Sequence, residues 1–180
     1  MKKRIIILLS GIFLVVSAKG QITKGTWMTG GNAGIVINNA YYPMATTNLT
    51  TVSIAPDIGY FVIEKLTLGI NASYELITGK NNNVSQTTQH SYTFGPFARY
   101  YFLPVDHIVN LFAGGYYKHY ILEPGNSITN TYSFFAGPTA FFNSSVAIEM
   151  TAGFSSLITK NSITNSFVIN AGFQIYLIKQ

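Results

Sequence analysis

The chain has 180 residues, 48% apolar and 14% aromatic but only 9% charged, whereas soluble globular domains carry about 25% charged residues. Its aromatic richness excludes disorder, its length allows one domain, and the absence of cysteine excludes disulfide frameworks, thiol chemistry and cysteine-held metal. The net charge of +5 does not mark a nucleic-acid surface: Lys2, Lys3, Arg4 and Lys19 lie in the first 20 residues, and without those four the remaining 7 basic residues face 6 acidic ones.

Residues 1–20 read as a cleavable secretory signal peptide. Lys2-Lys3-Arg4 precedes Ile5 to Val16, a run without charge, and Ser17-Ala18-Lys19-Gly20 supplies small residues for cleavage before Gln21. The apolar run is shorter than the ~20 residues of a spanning helix. No cysteine follows it to carry a lipid. The mature chain, 21–180, is therefore expected beyond an inner membrane.

That mature chain alternates with period two between clusters of Asn, Gly, Ser, Thr and Pro, the signature of strands and turns. Eight strands are predicted, over 26–37, 50–62, 66–78, 88–102, 108–121, 128–142, 146–157 and 163–177. In the last, Phe167, Ile169, Ala171, Phe173, Ile175 and Leu177 alternate with polar or small residues. In the sixth, Phe134-Phe135 and Phe141-Phe142 blur the alternation and leave the register open. Short turns at Glu64-Lys65, 103–107 and 143–145 alternate with longer loops at 38–49, 79–87, 122–127 and 158–162. That is the plan of an all-β, eight-stranded antiparallel up-and-down transmembrane barrel. Short turns and both termini then face the periplasm, and longer loops face outward.

A secreted eight-stranded barrel would show the same alternation, so the placement of charge decides between the two. A membrane barrel keeps ionised groups off the lipid, where a mid-depth Arg or Lys costs roughly 2–4 kcal/mol. Asp57, Glu75, Arg99, Lys118 and Glu149 all share a face with small and polar residues rather than with Leu, Ile and Phe. This favours the membrane.

Four phrases are Gly25-Thr26-Trp27-Met28-Thr29-Gly30-Gly31, Ala55-Pro56-Asp57-Ile58-Gly59-Tyr60-Phe61, Gly95-Pro96-Phe97-Ala98-Arg99-Tyr100-Tyr101-Phe102 and Val146-Ala147-Ile148-Glu149. In them the chain resembles the outer-membrane beta-barrel domain family, the small OmpA/OmpW-like eight-stranded barrels of Gram-negative envelopes. The resemblance covers essentially all of 21–180. It implies a multi-pass barrel in the outer membrane, contact with outer-membrane lipid and lipopolysaccharide, and insertion by the barrel-assembly machinery. Asn170, Gly172, Ile175 and Leu177 resemble the assembly signal of such barrels, although the chain ends Ile178-Lys179-Gln180 instead of in an aromatic residue.

Candidate chemistry is sparse. Asp57, Arg99 and Glu149 are expected near the periplasmic end of the lumen, and Glu75 and Lys118 nearer the outer rim. Together they form either a charge-paired plug or a polar gate. Arg99 is expected to bridge at least one of Asp57 and Glu149, since an unpaired buried charge is strongly destabilising. His90-Ser91 raises the possibility of a lipid A-modifying enzyme. Alternation sends the two side chains to opposite faces, and His107 beside Asp106 and His119 before Glu123 give no better nucleophile–base geometry. No two histidines have metal-ligand spacing, so no catalytic, metal or cofactor residue is assigned. Trp27, Tyr60, Tyr92, Tyr100, Tyr117 and Phe154 are expected outward as interfacial aromatics. Asn81-Asn82-Asn83 and Asn48-Leu49-Thr50 are expected in polar loops. The expectation is a monomeric, non-enzymatic barrel with a structural or surface-interaction role, without nucleic acid. The alternative is a narrow conduit for small, including hydrophobic, solutes.

Overall fold

A computed structural model describes residues 22–42, 45–81, 84–85, 88–123, 127–159 and 163–177. The expected leader over 1–20 and the Ile178-Lys179-Gln180 tail lie outside the described residues. The strands are β1 (Trp27–Tyr42), β2 (Ala45–Ile63), β3 (Leu66–Asn81), β4 (Val84–Ser85), β5 (Gln89–Tyr101), β6 (Val109–Glu123), β7 (Ser127–Phe141), β8 (Val146–Ile158) and β9 (Ile163–Leu177). Neighbours run β2-β1-β9-β8-β7-β6-β5-β3-β4, and a further β2–β3 pairing closes the ring. β4 only extends the tip of β3, pairing with Lys80 and Asn81. The wall is therefore a closed, antiparallel barrel of eight strands.

Period-two alternation decides which side chain enters the lumen. Along β5, Ser91, Thr93, Phe97, Arg99 and Tyr101 are buried, while Tyr92, Phe94, Pro96, Ala98 and Tyr100 between them are exposed. The doublets of β7 resolve the same way. Phe134 is 75% exposed and Phe135 8%, and Phe141 points in while Phe142 points out. Each doublet straddles the two faces, so the register never slips. The outer surface is a band of Ile54, Ile70, Leu68, Leu111, Ile148 and Phe173. A soluble monomer rarely exposes contiguous apolar patches beyond a few hundred Å², whereas a lipid-embedded barrel requires one.

Proline interrupts three ladders. Pairing is skipped on one side of Ala55-Pro56, Gly95-Pro96 and Gly137-Pro138, because proline has no N–H to donate. At two of them glycine lets the neighbouring strand come close: a Cβ on Gly95 would run into the backbone of Tyr117 and Lys118. Gly95→Ala is expected to cost about 1–3 kcal/mol by overpacking. At Gly34 a Cβ would meet only the Ser53 hydroxyl at 3.3 Å, and Gly34→Ala should cost less. Urea unfolding of the two variants in lipid vesicles checks this; equal losses would contradict it.

The short turns lie together at one end. Lys65 takes a left-handed φ of 67° to close the Glu64-Lys65 turn, and residues 22–26 pack beneath it. Lys65 N donates to Ile22 O at 2.9 Å and Gly25 N to Phe61 O at 2.9 Å. The longer loops need correction. The residues expected as loop 38–49 are mostly strand, since β1 runs to Tyr42 and β2 starts at Ala45. Likewise β3 continues to Asn81, β6 to Glu123, and β7 begins at Ser127. Thr-, Ile- and Tyr-rich sequence is good strand material, and once paired it extends the hairpins beyond the lipid-facing band.

One seam is short. β1 and β9 pair only from Trp27↔Leu177 to Asn32↔Gly172, while β8 and β9 pair along their length, from Val146↔Ile175 to Ile158↔Ile163.

Candidate functional site

The five strand charges of the sequence reading all sit at inward positions: Asp57 on β2, Glu75 on β3, Arg99 on β5, Lys118 on β6 and Glu149 on β8. Three of them meet. Arg99 Nη1 donates to Glu149 Oε2 at 2.7 Å and to Oε1 at 2.9 Å, and Arg99 Nη2 lies 3.9 Å from Asp57 Oδ2. Exposure is 2% for Arg99, 5% for Asp57 and 4% for Glu149. Asp57 is held from the other side by Gln174 of β9, whose Nε2 donates to Oδ2 at 3.1 Å.

Aromatic rings form the floor under and around this cluster. The Arg99 guanidinium lies 4.6 Å from the Phe112 ring centre and within 5.7 Å of those of Phe97 and Phe135. A desolvated cation over aromatic faces gains about 2 kcal/mol or more. The Tyr101 and Tyr176 hydroxyls lie 3.0 Å from one another and each 3.4 Å from Glu149 Oε1, three contacts served by two hydroxyl protons. Met28, Phe61, Phe141, Ala147 and Ile22 complete a buried layer with them. Ile22, from the segment before β1, is fully enclosed. The lumen is therefore closed at the end where the short turns lie.

Above the floor the lumen is polar. A cavity of about 20 Å³ is lined by Asn32, Asp57, Arg99, Tyr116, Glu149, Thr151, Asn170 and Gln174, with Gly31 and Gly172. Glu75 and Lys118 are half-buried. The Lys118 ammonium rests over the Tyr116 ring at 4.3 Å. Among the described residues it makes no ion pair within 4.0 Å, and nor does Glu75.

The other candidates fall apart spatially. Ser91 is buried at an inward position, whereas His90 faces outward and accepts or shares a proton with Tyr74 Oη at 2.8 Å. His119 packs outward, tilted against Phe94 and edge-on to Tyr117. Glu123 lies on β6 itself, not in a loop, and pairs in register with His90. Asp106 and His107 are exposed in a turn. Trp27, Tyr92, Tyr100 and Phe154 are exposed, and Trp27 packs on Tyr60 at 5.0 Å. Of the assembly-signal residues, Asn170 and Gly172 face the cavity, while Ile175 and Leu177 take outward positions on β9. Asn82 and Asn83 lie outside the described residues.

No protein-family model matches the chain, and no curated protein matches it in sequence. Solved structures do match in shape. The outer membrane protein OprG from Pseudomonas aeruginosa aligns with 90% of this chain and 100% of its own, at a TM-score of 0.62 and 10% identity. Neisserial surface protein A (NspA) aligns with 84% of this chain and 97% of its own, at a TM-score of 0.57 and 16% identity. The fold is that of a small outer-membrane β-barrel. At these identities the likeness covers the path of the chain and not its ligands, so the cluster around Arg99 has to be read from its own geometry.

Sequence reading named the charges of this outer-membrane-type barrel and expected Arg99 to bridge Asp57 or Glu149, but it did not find the neutral groups around them. Gln174 and Tyr176 were legible only as members of the inward face of β9. Tyr101 was masked by its neighbours Tyr100 and Phe102 in an aromatic run. Nothing in 22–26 marked Ile22 as part of the floor.

Proposed function

We propose that the chain is an integral, non-enzymatic barrel of the outer membrane, with both termini periplasmic and a structural or surface-interaction role in the envelope. One observation carries this reading: the five charges in the strand bodies, Asp57, Glu75, Arg99, Lys118 and Glu149, are all inside, behind a mainly apolar exterior, and three of them seal the floor with aromatic rings. Outer-membrane lipid and lipopolysaccharide are the natural contacts of such a surface. The extended β1–β2 and β3–β4 hairpins rise beyond the apolar band as the parts available to a surface partner. An enzymatic reading lacks support at its best candidate, because His90 and Ser91 lie on opposite sides of the wall and cannot form the nucleophile–base hydrogen bond. The conduit reading meets a floor filled by Arg99, Glu149, Tyr101 and Tyr176.

Planar-bilayer recording of the purified barrel tests this. The expected result is no stable conductance for the wild type, since an eight-stranded lumen is just wide enough for side chains to fill it. A stable open channel would replace the sealed-barrel reading with the conduit. A change in lipid A acyl number that depends on His90, measured by mass spectrometry, would replace it with the enzyme.

A further inference from the structure

Charge counting across the lumen leaves a remainder. Of the five inward charges, Asp57, Glu75 and Glu149 are acidic and Arg99 and Lys118 basic, a formal excess of one negative charge. The excess is not evenly shared. Glu149 takes both short contacts from Arg99 Nη1 and two tyrosine hydroxyls besides. Asp57 is left with one hydrogen bond from Gln174 and a 3.9 Å approach of Arg99 Nη2, too long for a hydrogen bond. Among the described residues its second oxygen, Oδ1, has no hydrogen-bond partner, and neither does Gln174 Oε1. Both residues are at least nine-tenths buried and both belong to the wall of the 20 Å³ cavity. The Gln174 amide cannot turn round to relieve this, because its Nε2 is what Asp57 Oδ2 accepts from.

The unmet groups there include acceptors with a negative charge behind them. A buried carboxylate in that state is paired or coordinates a cation. Lys118 attracts Asp57 across the lumen but forms no ion pair with it within 4.0 Å among the described residues, and its ammonium rests over Tyr116. Glu75, a further carboxylate, makes no ion pair within 4.0 Å among the described residues either. Arg99 Nε also has no hydrogen-bond partner among the described residues, but the guanidinium gives its short contacts to Glu149 and approaches Asp57 only to 3.9 Å. The remaining lining offers neutral oxygens from Asn32, Thr151 and Asn170. One carboxylate with neutral oxygens suits a single positive charge. Among the described residues, no group of three or more His, Cys, Asp or Glu gathers to hold a more highly charged ion. The volume is that of about one water. The cavity wall also includes Asn32 and Gly172, where the β1–β9 ladder ends, so the site lies beside the short seam.

We propose that the cavity above the floor is a site for one compact monovalent cation of sodium size, held by Asp57 Oδ1 and Gln174 Oε1. The ion completes the charge balance of the Arg99 cluster and ties β2 to β9 beside the short seam. This does not depend on where the barrel resides or what its loops contact.

Unfolding of the detergent-solubilised full chain, followed by Trp27 fluorescence in sodium, potassium and choline chloride at one ionic strength, tests it. Bound ion stabilises only the folded state. The expected result is a midpoint about 2–4 °C higher in sodium than in choline, with potassium between, and no difference among the three salts for Asp57→Asn. Equal wild-type midpoints overturn the proposal, since they mean that a proton or water completes the cluster. A sodium effect that survives Asp57→Asn overturns it as well. If Asp57→Asn does not fold, Gln174→Met takes its place: a reduced sodium effect supports the site, and an unchanged one overturns it.

Discussion

Arg99→Ala is expected to lower the unfolding free energy by about 3–5 kcal/mol, the usual loss when one partner of a buried ion pair is removed. Lys80→Ala, at the exposed outer end of β3, should stay within about 0.5 kcal/mol of wild type. The asymmetry follows from what each lysine or arginine leaves behind. Without Arg99, Glu149 is left with weak contacts to the tyrosine hydroxyls at 3.4 Å, and Asp57 faces it from the same cavity wall. Three aromatic rings lose the cation packed on them as well. Removing the orphaned charge should recover part of the loss, so Arg99→Met with Glu149→Leu is expected to be more stable than Arg99→Ala alone. Urea unfolding in lipid vesicles, read by Trp27 fluorescence, measures all four. Equal stability of Arg99→Ala and Lys80→Ala would show that the cluster does not hold the floor. Solute leakage through Arg99→Ala without loss of stability would instead make Arg99 a gate.

The second large effect belongs to the outer face. Ile54 is 54% exposed, six residues above the interfacial Tyr60 on β2, which places it towards the middle of the apolar band. Ile54→Arg is expected to cost about 2–4 kcal/mol in a bilayer, and Ile63→Arg, at the turn end of the same strand, about 0–1 kcal/mol. No difference in cost between Ile54→Arg and Ile63→Arg would mean that the face does not meet hydrocarbon.

The fold was legible because a lipid-facing strand has to state its period openly. A helix-like or one-sided sequence could not place Phe167, Ile169, Ala171, Phe173, Ile175 and Leu177 on one face and keep all five charges on the other. Even the sixth predicted strand obeys this rule, for an adjacent Phe pair is what a wall presents when aromatic rings are needed inside and outside at once. The floor was less legible, and for a physical reason. Which residues meet across a lumen depends on the tilt and stagger of the strands, and these arise from closure of the whole sheet. Asp57 and Gln174 lie 117 positions apart, on strands that do not pair with one another. The end of the β1–β9 ladder at Asn32↔Gly172 is likewise a property of the closed ring. Loop lengths were overestimated because Asn- and Thr-rich sequence reads as turn, and pairing within a hairpin can still carry it as strand.

The most direct measurement is membrane fractionation of cells making the full chain, followed by electrophoresis of boiled and unboiled samples under semi-native conditions. A closed barrel with lipid on its outside and its charges within should be recovered in the outer-membrane fraction and migrate faster unboiled than boiled. Recovery as a soluble periplasmic protein, or identical migration of the two samples, would contradict it.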